Sequence, residues 1–250
     1  MNSSLRNKKL MLLALLGLNL LGWVSPSMAA INCGDTIGPN ESVVLTTDLQ
    51  CSDSPALILQ GPNARLDMDD HELSCTSTNN NGIVLRGRGA RLMNGTVTGC
   101  KDGVRVRGRG GHTIKNMIAT SNADDGFDMG GLRGSSNNSL ANIVATDNGD
   151  NGIEVKDVSN DNQFTNTVAN NNSNGIIIAG DNNQLTNTTA SGNSVNGIEI
   201  VLGGEGNLLV NSVAVGNGNF DLLDNNDPNC DNNSSIISIV VAESLAICIL

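Results

Sequence analysis

Residues 151–179 read NGIEVKDVSNDNQFTNTVANNNSNGIIIA, and this stretch contains one complete turn of a repeat that runs along most of the chain. Each repeat opens with an asparagine or aspartate, a glycine and a short apolar strand. The glycines recur at intervals of 21, 23, 26, 23 and 22 residues, and they are Gly82, Gly103, Gly126, Gly152, Gly175 and Gly197. A period of this length is typical of solenoid proteins, in which each repeat packs only against its neighbours.

Each repeat also carries a second strand that contains a regularly placed asparagine. These asparagines are Asn94, Asn116, Asn142, Asn166, Asn187 and Asn211, and six residues after them stand Cys100, Asn122, Asn148, Asn172, Asn193 and Asn217. A coil of about 22 residues, with short strands joined by turns, rises by one strand spacing of about 4.8 Å, so that equivalent residues stack. Stacked aliphatic side chains then fill a narrow core, and stacked asparagines can hydrogen-bond along the axis.

The repeat therefore predicts an all-β protein, a right-handed parallel β-helix of about seven coils. An Asn- and Gly-rich tract could instead be disordered, but the regular aliphatic columns disfavour that interpretation. Leucine-rich repeats have a similar period, but their consensus of several leucines is absent from this sequence. We expect the β-helix to occupy residues 55–224, between an N-terminal cap segment of residues 31–54 and a C-terminal capping tail of residues 225–250.

The first thirty residues are typical of a secretory signal peptide. Three cations precede the apolar run of residues 10–24, and the small residues Ser27 and Ala29 follow at the spacing that signal peptidase requires. The alternative is an uncleaved membrane helix, for which the run is short. We expect cleavage near residues 29–30 and a secreted or periplasmic protein without a transmembrane anchor.

Six cysteines in an exported chain indicate disulfide bonds. The repeat register places Cys75 and Cys100 at equivalent positions of adjacent coils, close enough to form a bond. By elimination, the remaining pairs are Cys33–Cys51 at the N-terminal end and Cys230–Cys248 at the C-terminal end, where a solenoid exposes unpaired strand edges.

The composition argues against a nucleic-acid partner. The formal net charge is −11, and the chain has no tyrosine, whereas single-stranded nucleic acid needs basic grooves and aromatic stacking platforms. The two histidines, His71 and His112, lie far apart in register, and we expect both at the surface. We also expect a monomer.

The outward face of the first strand in each coil is charged mainly in the middle of the chain. Residues two and four positions after each glycine should point outward. Six of these eight residues are charged on the coils from Gly82 to Lys156, whereas of the next four only Glu199 is charged. Arginine forks suit carboxylate and sulfate groups. The predicted substrate-binding residues are Arg86, Arg105, Arg107 and Glu154.

The sequence Asp124-Asp125-Gly126-Phe127-Asp128 adds a group of carboxylates to this face. Asp102 should stack under Asp125 and Glu154 over Asp128, and carboxylates at such spacing repel one another unless a hard cation such as Ca²⁺ neutralises them. The alternative is that the aspartates only form turns.

Over residues 55–224 the chain resembles the right-handed parallel β-helix proteins, which include pectate lyases, polygalacturonases, alginate epimerases and many exported proteins without known activity. The aspartate motif is similar to the calcium site of family-nine pectate lyases. The resemblance implies that Asp102, Asp124, Asp125 and Asp128 hold Ca²⁺ and that Lys156 is the catalytic base, provided that its neighbours or burial lower its pKa.

These observations predict an exported protein that binds acidic polysaccharide. The resemblance implies that it is a polysaccharide lyase, which would cleave the polymer by calcium-assisted β-elimination. The competing hypothesis is a non-catalytic solenoid with an adhesive or surface-structural role, because this fold carries several chemistries and some of its members carry none.

Overall fold

The structure is a computed structural model that describes residues 31–131, 134–225, 233–236, 239–240 and 248–249. Every regular element within those ranges is a β-strand. The strands are β1 (Thr36–Ile37), β2 (Ser42–Val44), β3 (Leu49–Cys51), β4 (Leu57–Gln60), β5 (Arg65–Asp67), β6 (Glu72–Cys75), β7 (Ile83–Arg86), β8 (Arg91–Thr98), β9 (Val104–Val106), β10 (Thr113–Thr120), β11 (Phe127–Met129), β12 (Ser139–Thr146), β13 (Asn151–Val155), β14 (Gln163–Asn170), β15 (Asn174–Ile178), β16 (Gln184–Ser191), β17 (Ile198–Ile200), β18 (Leu208–Val210), β19 (Val213–Val215), β20 (Leu222–Asp224), β21 (Ser234–Ile236), β22 (Ile239–Val240) and β23 (Cys248–Ile249).

The strands form two parallel sheets that wind around one core. Among the described residues, sheet A has nine strands in the order β1-β4-β7-β9-β11-β13-β15-β17-β20, and sheet B has fourteen. Each complete coil passes through one short strand of sheet A and one longer stretch of sheet B before rising to the next. The predicted right-handed parallel β-helix is therefore confirmed. Strands β1, β2 and β3, in the segment predicted as a cap, extend the same two sheets by parallel pairing.

The regularly placed asparagines bend the strands of sheet B. They adopt left-handed backbone angles, with φ between 49° and 57°, which asparagine tolerates better than other residues with a Cβ. Their exposed side chains form a ladder from amide to amide, with distances of 2.7–3.1 Å between Asn94 and Asn211. The predicted stacking of these asparagines is confirmed.

The asparagines six residues further on form a second ladder that is mostly buried. The side-chain oxygen of each asparagine accepts the backbone N–H of the equivalent residue in the preceding coil, at 2.9–3.1 Å. The donating N–H groups belong to Cys100, Asn122, Asn148, Asn172 and Asn193. These side chains satisfy buried backbone donors at a turn that has no strand partner.

A third ladder was not predicted. It runs through Asn138, Asn162, Asn183, Asn207 and Asn233, with backbone-to-side-chain distances of 2.7–3.0 Å. His112 begins this ladder: Nδ1 accepts the backbone N–H of Ala90 at 3.0 Å, and Nε2 lies 3.1 Å from the carbonyl of Arg107. The expectation that His112 lies at the surface is wrong, since it is 1% exposed. Burial lowers the pKa of His112 to about 4, so the ring is neutral at pH 7.

The glycine that opens each repeat is required by close packing. A Cβ on Gly152 would lie 2.6 Å from the carbonyl oxygen of Gly175 and 2.7 Å from Nδ2 of Asn172. The residues one and three positions later, such as Ile153 and Val155, point into the core and are fully buried. The sequence period therefore follows from the narrow cross-section of each coil.

Two disulfide bonds join Cys33 to Cys51 and Cys75 to Cys100, as expected. The predicted alignment of Cys75 with Cys100 was wrong by one residue. Strand pairing aligns Ser74 with Thr98, so Cys75 lies opposite the residue before Cys100, and on its other side Cys75 pairs with Cys51. Cys230, and with it the predicted bond to Cys248, lies outside the described residues, as does the predicted signal peptide. Within the described ranges, no helix is long and apolar enough to span a bilayer.

Candidate functional site

The charged side chains of sheet A stack on adjacent coils. Strand pairing aligns Arg105 with Asp128 and Asp128 with Glu154, as the repeat register predicts. Two residues beyond Arg105 and Glu154 lie Arg107 and Lys156. Gly130 is the equivalent residue on the coil between Arg107 and Lys156. Neighbouring side chains leave no room for a larger residue there, because a Cβ on Gly130 would lie 2.9 Å from Cβ of Lys156.

Asp128 is the centre of an ion-pair network. It is 1% exposed, and its Oδ2 lies 2.8 Å from Nη2 of Arg105 and 3.2 Å from Nη2 of Arg107. Its Oδ1 lies 2.9 Å from Nζ of Lys156, which also lies 3.0 Å from Oε2 of Glu154. Two of the three predicted substrate-binding arginines, Arg105 and Arg107, therefore already contact a carboxylate of the chain itself.

A second group of carboxylates lies beside this network at the turn that precedes the strands. Lys101 Nζ lies 3.0 Å from Asp124 Oδ2, and Arg105 Nε lies 3.1 Å from Asp102 Oδ2. Asp125 is 3% exposed, and its Oδ1 accepts the backbone N–H of Asn151 at 3.1 Å and the side-chain amide of Asn151 at 3.0 Å. Among the residues described, no Lys or Arg forms an ion pair with Asp125.

The pKa shifts of Asp125 and Asp102 have a different cause from the pKa shift of Lys156. Burial, followed by the charge of Glu154, raises the pKa of Asp125 to about 8, and burial raises the pKa of Asp102. For Lys156, burial lowers the pKa, but the hydrogen bonds to Asp128 and Glu154 and their charges outweigh it, so the pKa lies above the ordinary lysine value. The expectation that burial or neighbouring cations lower the pKa of Lys156 is therefore wrong for this arrangement.

The carboxylates can hold a metal ion. Oxygens of Asp102, Asp124 and Asp125 lie within 4.8 Å of one another, and so do those of Asp125, Asp128 and Glu154. The group of Asp102, Asp124 and Asp125 fits a hard cation better, because two cationic side chains contact it, whereas three contact Asp128 and Glu154. Three of the predicted calcium ligands, Asp102, Asp124 and Asp125, thus lie in one group, and the fourth, Asp128, lies in the other group with Asp125.

Two further cations lie near this face: Arg86, which was predicted as a substrate-binding residue, and Lys101, which was not. Arg86 is exposed and forms no ion pair with the carboxylates of the described ranges. Lys101 was missed, although register could have found it: the N–H of Asp124 donates to the carbonyl of Lys101, so the two residues stack. An open groove of about 430 Å³ adjoins the cluster at Glu154 and Lys156, and its other lining residues are Gly131, Asp157, Val158 and Ala179.

Replacing Asp125 with asparagine should stabilise the protein at neutral pH in the absence of divalent cations. Because the pKa of Asp125 is higher in the folded than in the unfolded chain, its contribution to the free energy of unfolding falls as the pH rises from about 4 to about 8. Asparagine keeps the acceptor for both Asn151 donors and occurs at the equivalent place in later coils. We expect a gain of about 1–2 kcal/mol at pH 7.

Urea unfolding of the wild type and the variant at pH 5 and pH 8, in chelator, measures this effect. The difference between the two proteins should grow with pH. A difference that is the same at both pH values would contradict the elevated pKa.

Comparison with known proteins adds to this geometry. The profile of the family described as right handed beta helix region matches residues 74–235. The chain belongs to the right-handed β-helix family. A search of curated proteins found no match to this β-helix.

Three similar solved structures share the fold of this β-helix at low sequence identity. The A-module of the Azotobacter vinelandii mannuronan C-5 epimerase AlgE6 is 12% identical, with a TM-score of 0.52 over 85% of this chain and 80% of that one. The Agl-KA catalytic domain is 13% identical (TM-score 0.58, 80% and 41% coverage). The periplasmic alginate epimerase AlgG is 16% identical (TM-score 0.51, 86% and 50% coverage). The β-helix thus spans half or less of two of these proteins, and likeness at such identity concerns the fold alone.

Proposed function

We propose that this β-helix binds an acidic polysaccharide on the outward face of sheet A and cleaves it by calcium-assisted β-elimination. One observation carries the proposal: five carboxylates and four cations meet on the outward face of sheet A and at the turn that precedes it, on adjacent coils. These residues are Asp102, Asp124, Asp125, Asp128, Glu154, Lys101, Arg105, Arg107 and Lys156. The two epimerases named above act on mannuronan and on alginate. The two disulfide bonds are compatible with export.

Each group of residues has a role in this proposal. Asp102, Asp124 and Asp125 would hold Ca²⁺, which when bound would make the C5 proton of a uronate residue more acidic. Arg105 and Arg107, together with Arg86, would bind the polymer's carboxylates. Lys156 would accept the C5 proton while the C4–oxygen bond breaks, the electron pair leaves with that oxygen and a C4–C5 double bond forms.

Lys156 must lose its own proton first. Its ion pairs with Asp128 and Glu154 stabilise the ammonium form, so cleavage requires a bound substrate or cation to weaken them. This same observation favours the second candidate function, a solenoid that binds polysaccharide without cleaving it and has an adhesive or surface-structural role.

Incubation with polygalacturonate and with alginate, each with calcium or with chelator, separates the two candidates. The lyase produces unsaturated ends that absorb ultraviolet light, and only when calcium is present. Calcium should also raise the melting temperature of the wild type and not that of Asp125→Asn. Absence of product with both polymers rules out the lyase, and absence of a calcium-dependent shift rules out the metal site.

A further inference from the structure

A second charged surface lies beside the cluster, at the turn that leads from sheet A to sheet B. The sequence Arg-Gly-Arg-Gly occurs there in two successive coils, as residues 86–89 and 107–110. All four glycines have left-handed backbone angles, with φ between 66° and 92°, which glycine adopts without strain. The two turns stack, since Arg88 forms a parallel bridge with Gly110.

The second arginine of each motif lines an open groove. Arg88, Arg109, Gly111 and Asn137 surround a space of about 450 Å³. Both arginines are exposed. Neither forms an ion pair with a carboxylate of the part of the chain that the structure describes, whereas Arg105 and Arg107 both contact Asp128.

This difference makes Arg88 and Arg109 more available to an external anion than Arg105 and Arg107. A guanidinium paired with a buried carboxylate has part of its charge neutralised and part of its donors occupied. An exposed and unpaired guanidinium offers its fork to carboxylate or sulfate in the bidentate geometry that makes such contacts strong. On a chain with a net charge of −11, two such residues on adjacent coils form a local site of the opposite sign.

We propose that the Arg88–Arg109 groove is a polyanion-binding subsite that holds consecutive acidic groups of a polysaccharide, one on each coil, without a metal ion. The coils are about 4.8 Å apart, which is comparable to the length of one sugar ring. The groove adjoins the outward face of sheet A through Arg86 and Arg107. The inference rests on the proposed function for the class of ligand alone. Binding at this groove requires neither calcium nor Lys156.

A polysaccharide fits this groove better than a nucleic acid. Phe127 and Phe164 are fully buried, Phe220 is half-buried and does not line the groove, and the chain has no tyrosine. Single-stranded nucleic acid relies on bases stacked against aromatic rings, and none of the residues that line the groove is aromatic.

Isothermal titration with a galacturonate oligomer, in chelator and at low salt, tests the proposal. Arg88→Ala and Arg109→Ala should each weaken binding about tenfold or more, which is typical for loss of a charge-assisted contact, and added salt should weaken binding by the wild type. Lys115→Ala is the matched control. Lys115 is also an exposed cation without an ion pair to the described carboxylates, but it lies on strand β10 of sheet B, so its loss should change the affinity less than twofold.

Several results would overturn the subsite. Equal losses in the three variants would show a general charge effect, and full affinity in the double variant Arg88→Ala/Arg109→Ala would place the anion elsewhere. Tighter, arginine-dependent binding of a single-stranded oligonucleotide would reject the polysaccharide. Because chelator is present, failure of the calcium-dependent lyase assay leaves this measurement unaffected.

Discussion

Replacing Asn148 with alanine is expected to lower the free energy of unfolding by about 2–4 kcal/mol. Asn148 is 4% exposed, and its side-chain oxygen accepts the backbone N–H of Asn122 at 3.1 Å. Its amide donates to the carbonyl of Ala119 and to the side chain of Asn172. Alanine would leave the N–H of Asn122 buried without an acceptor and would open a cavity between coils. Chemical denaturation followed by circular dichroism measures the loss.

Asn142→Gly is the matched control for this substitution. Asn142 belongs to the exposed ladder and has a φ of 56°, which glycine also adopts, so only solvent-accessible amide contacts are lost. We expect a change below about 1 kcal/mol. If Asn148→Ala and Asn142→Gly lower the free energy of unfolding equally, burial does not determine how much a ladder contributes to stability.

The repeat made most of the fold predictable. The six-residue interval from Asn142 to Asn148 recurs in each coil from Asn116 to Asn217, and the stacking of these asparagines follows from one strand spacing per turn. The sequence did not show that one ladder is buried and the other exposed, because this depends on which way the strand bends at the left-handed residue. The third ladder was recoverable: Asn138 and Asn162 each stand two residues before a core position, Leu140 and Phe164.

Part of the candidate site was also predictable from register. The stacking of Asp128 with Glu154 and the convergence of the aspartates follow from the spacing of the glycines. The ion pairs did not follow, because they depend on side-chain directions: Arg105 reaches the next coil to contact Asp128, and Lys156 reaches back to it. The sequence therefore suggested a base where the structure has a paired ammonium group.

Substitution of Lys156 is expected to reduce β-elimination at least about 100-fold, the contribution typical of a general base. Lys156→Arg is the more informative variant. Arginine keeps the positive charge and can contact Asp128 and Glu154, but it does not lose its proton at any pH that the protein tolerates. We therefore expect Lys156→Arg to bind polygalacturonate like the wild type and to form almost no unsaturated product.

Two further measurements separate a base from a structural role. The calcium-induced rise in melting temperature should persist in Lys156→Arg, because Lys156 contacts Asp128 and Glu154 and forms no ion pair with Asp102, Asp124 or Asp125. Lys115→Ala should retain full activity, since Lys115 lies on sheet B, away from the cluster. Product formation by Lys156→Arg at the wild-type rate would show that the positive charge is what matters. In that case Lys156 would orient the polymer, and the proton would have to leave through another group.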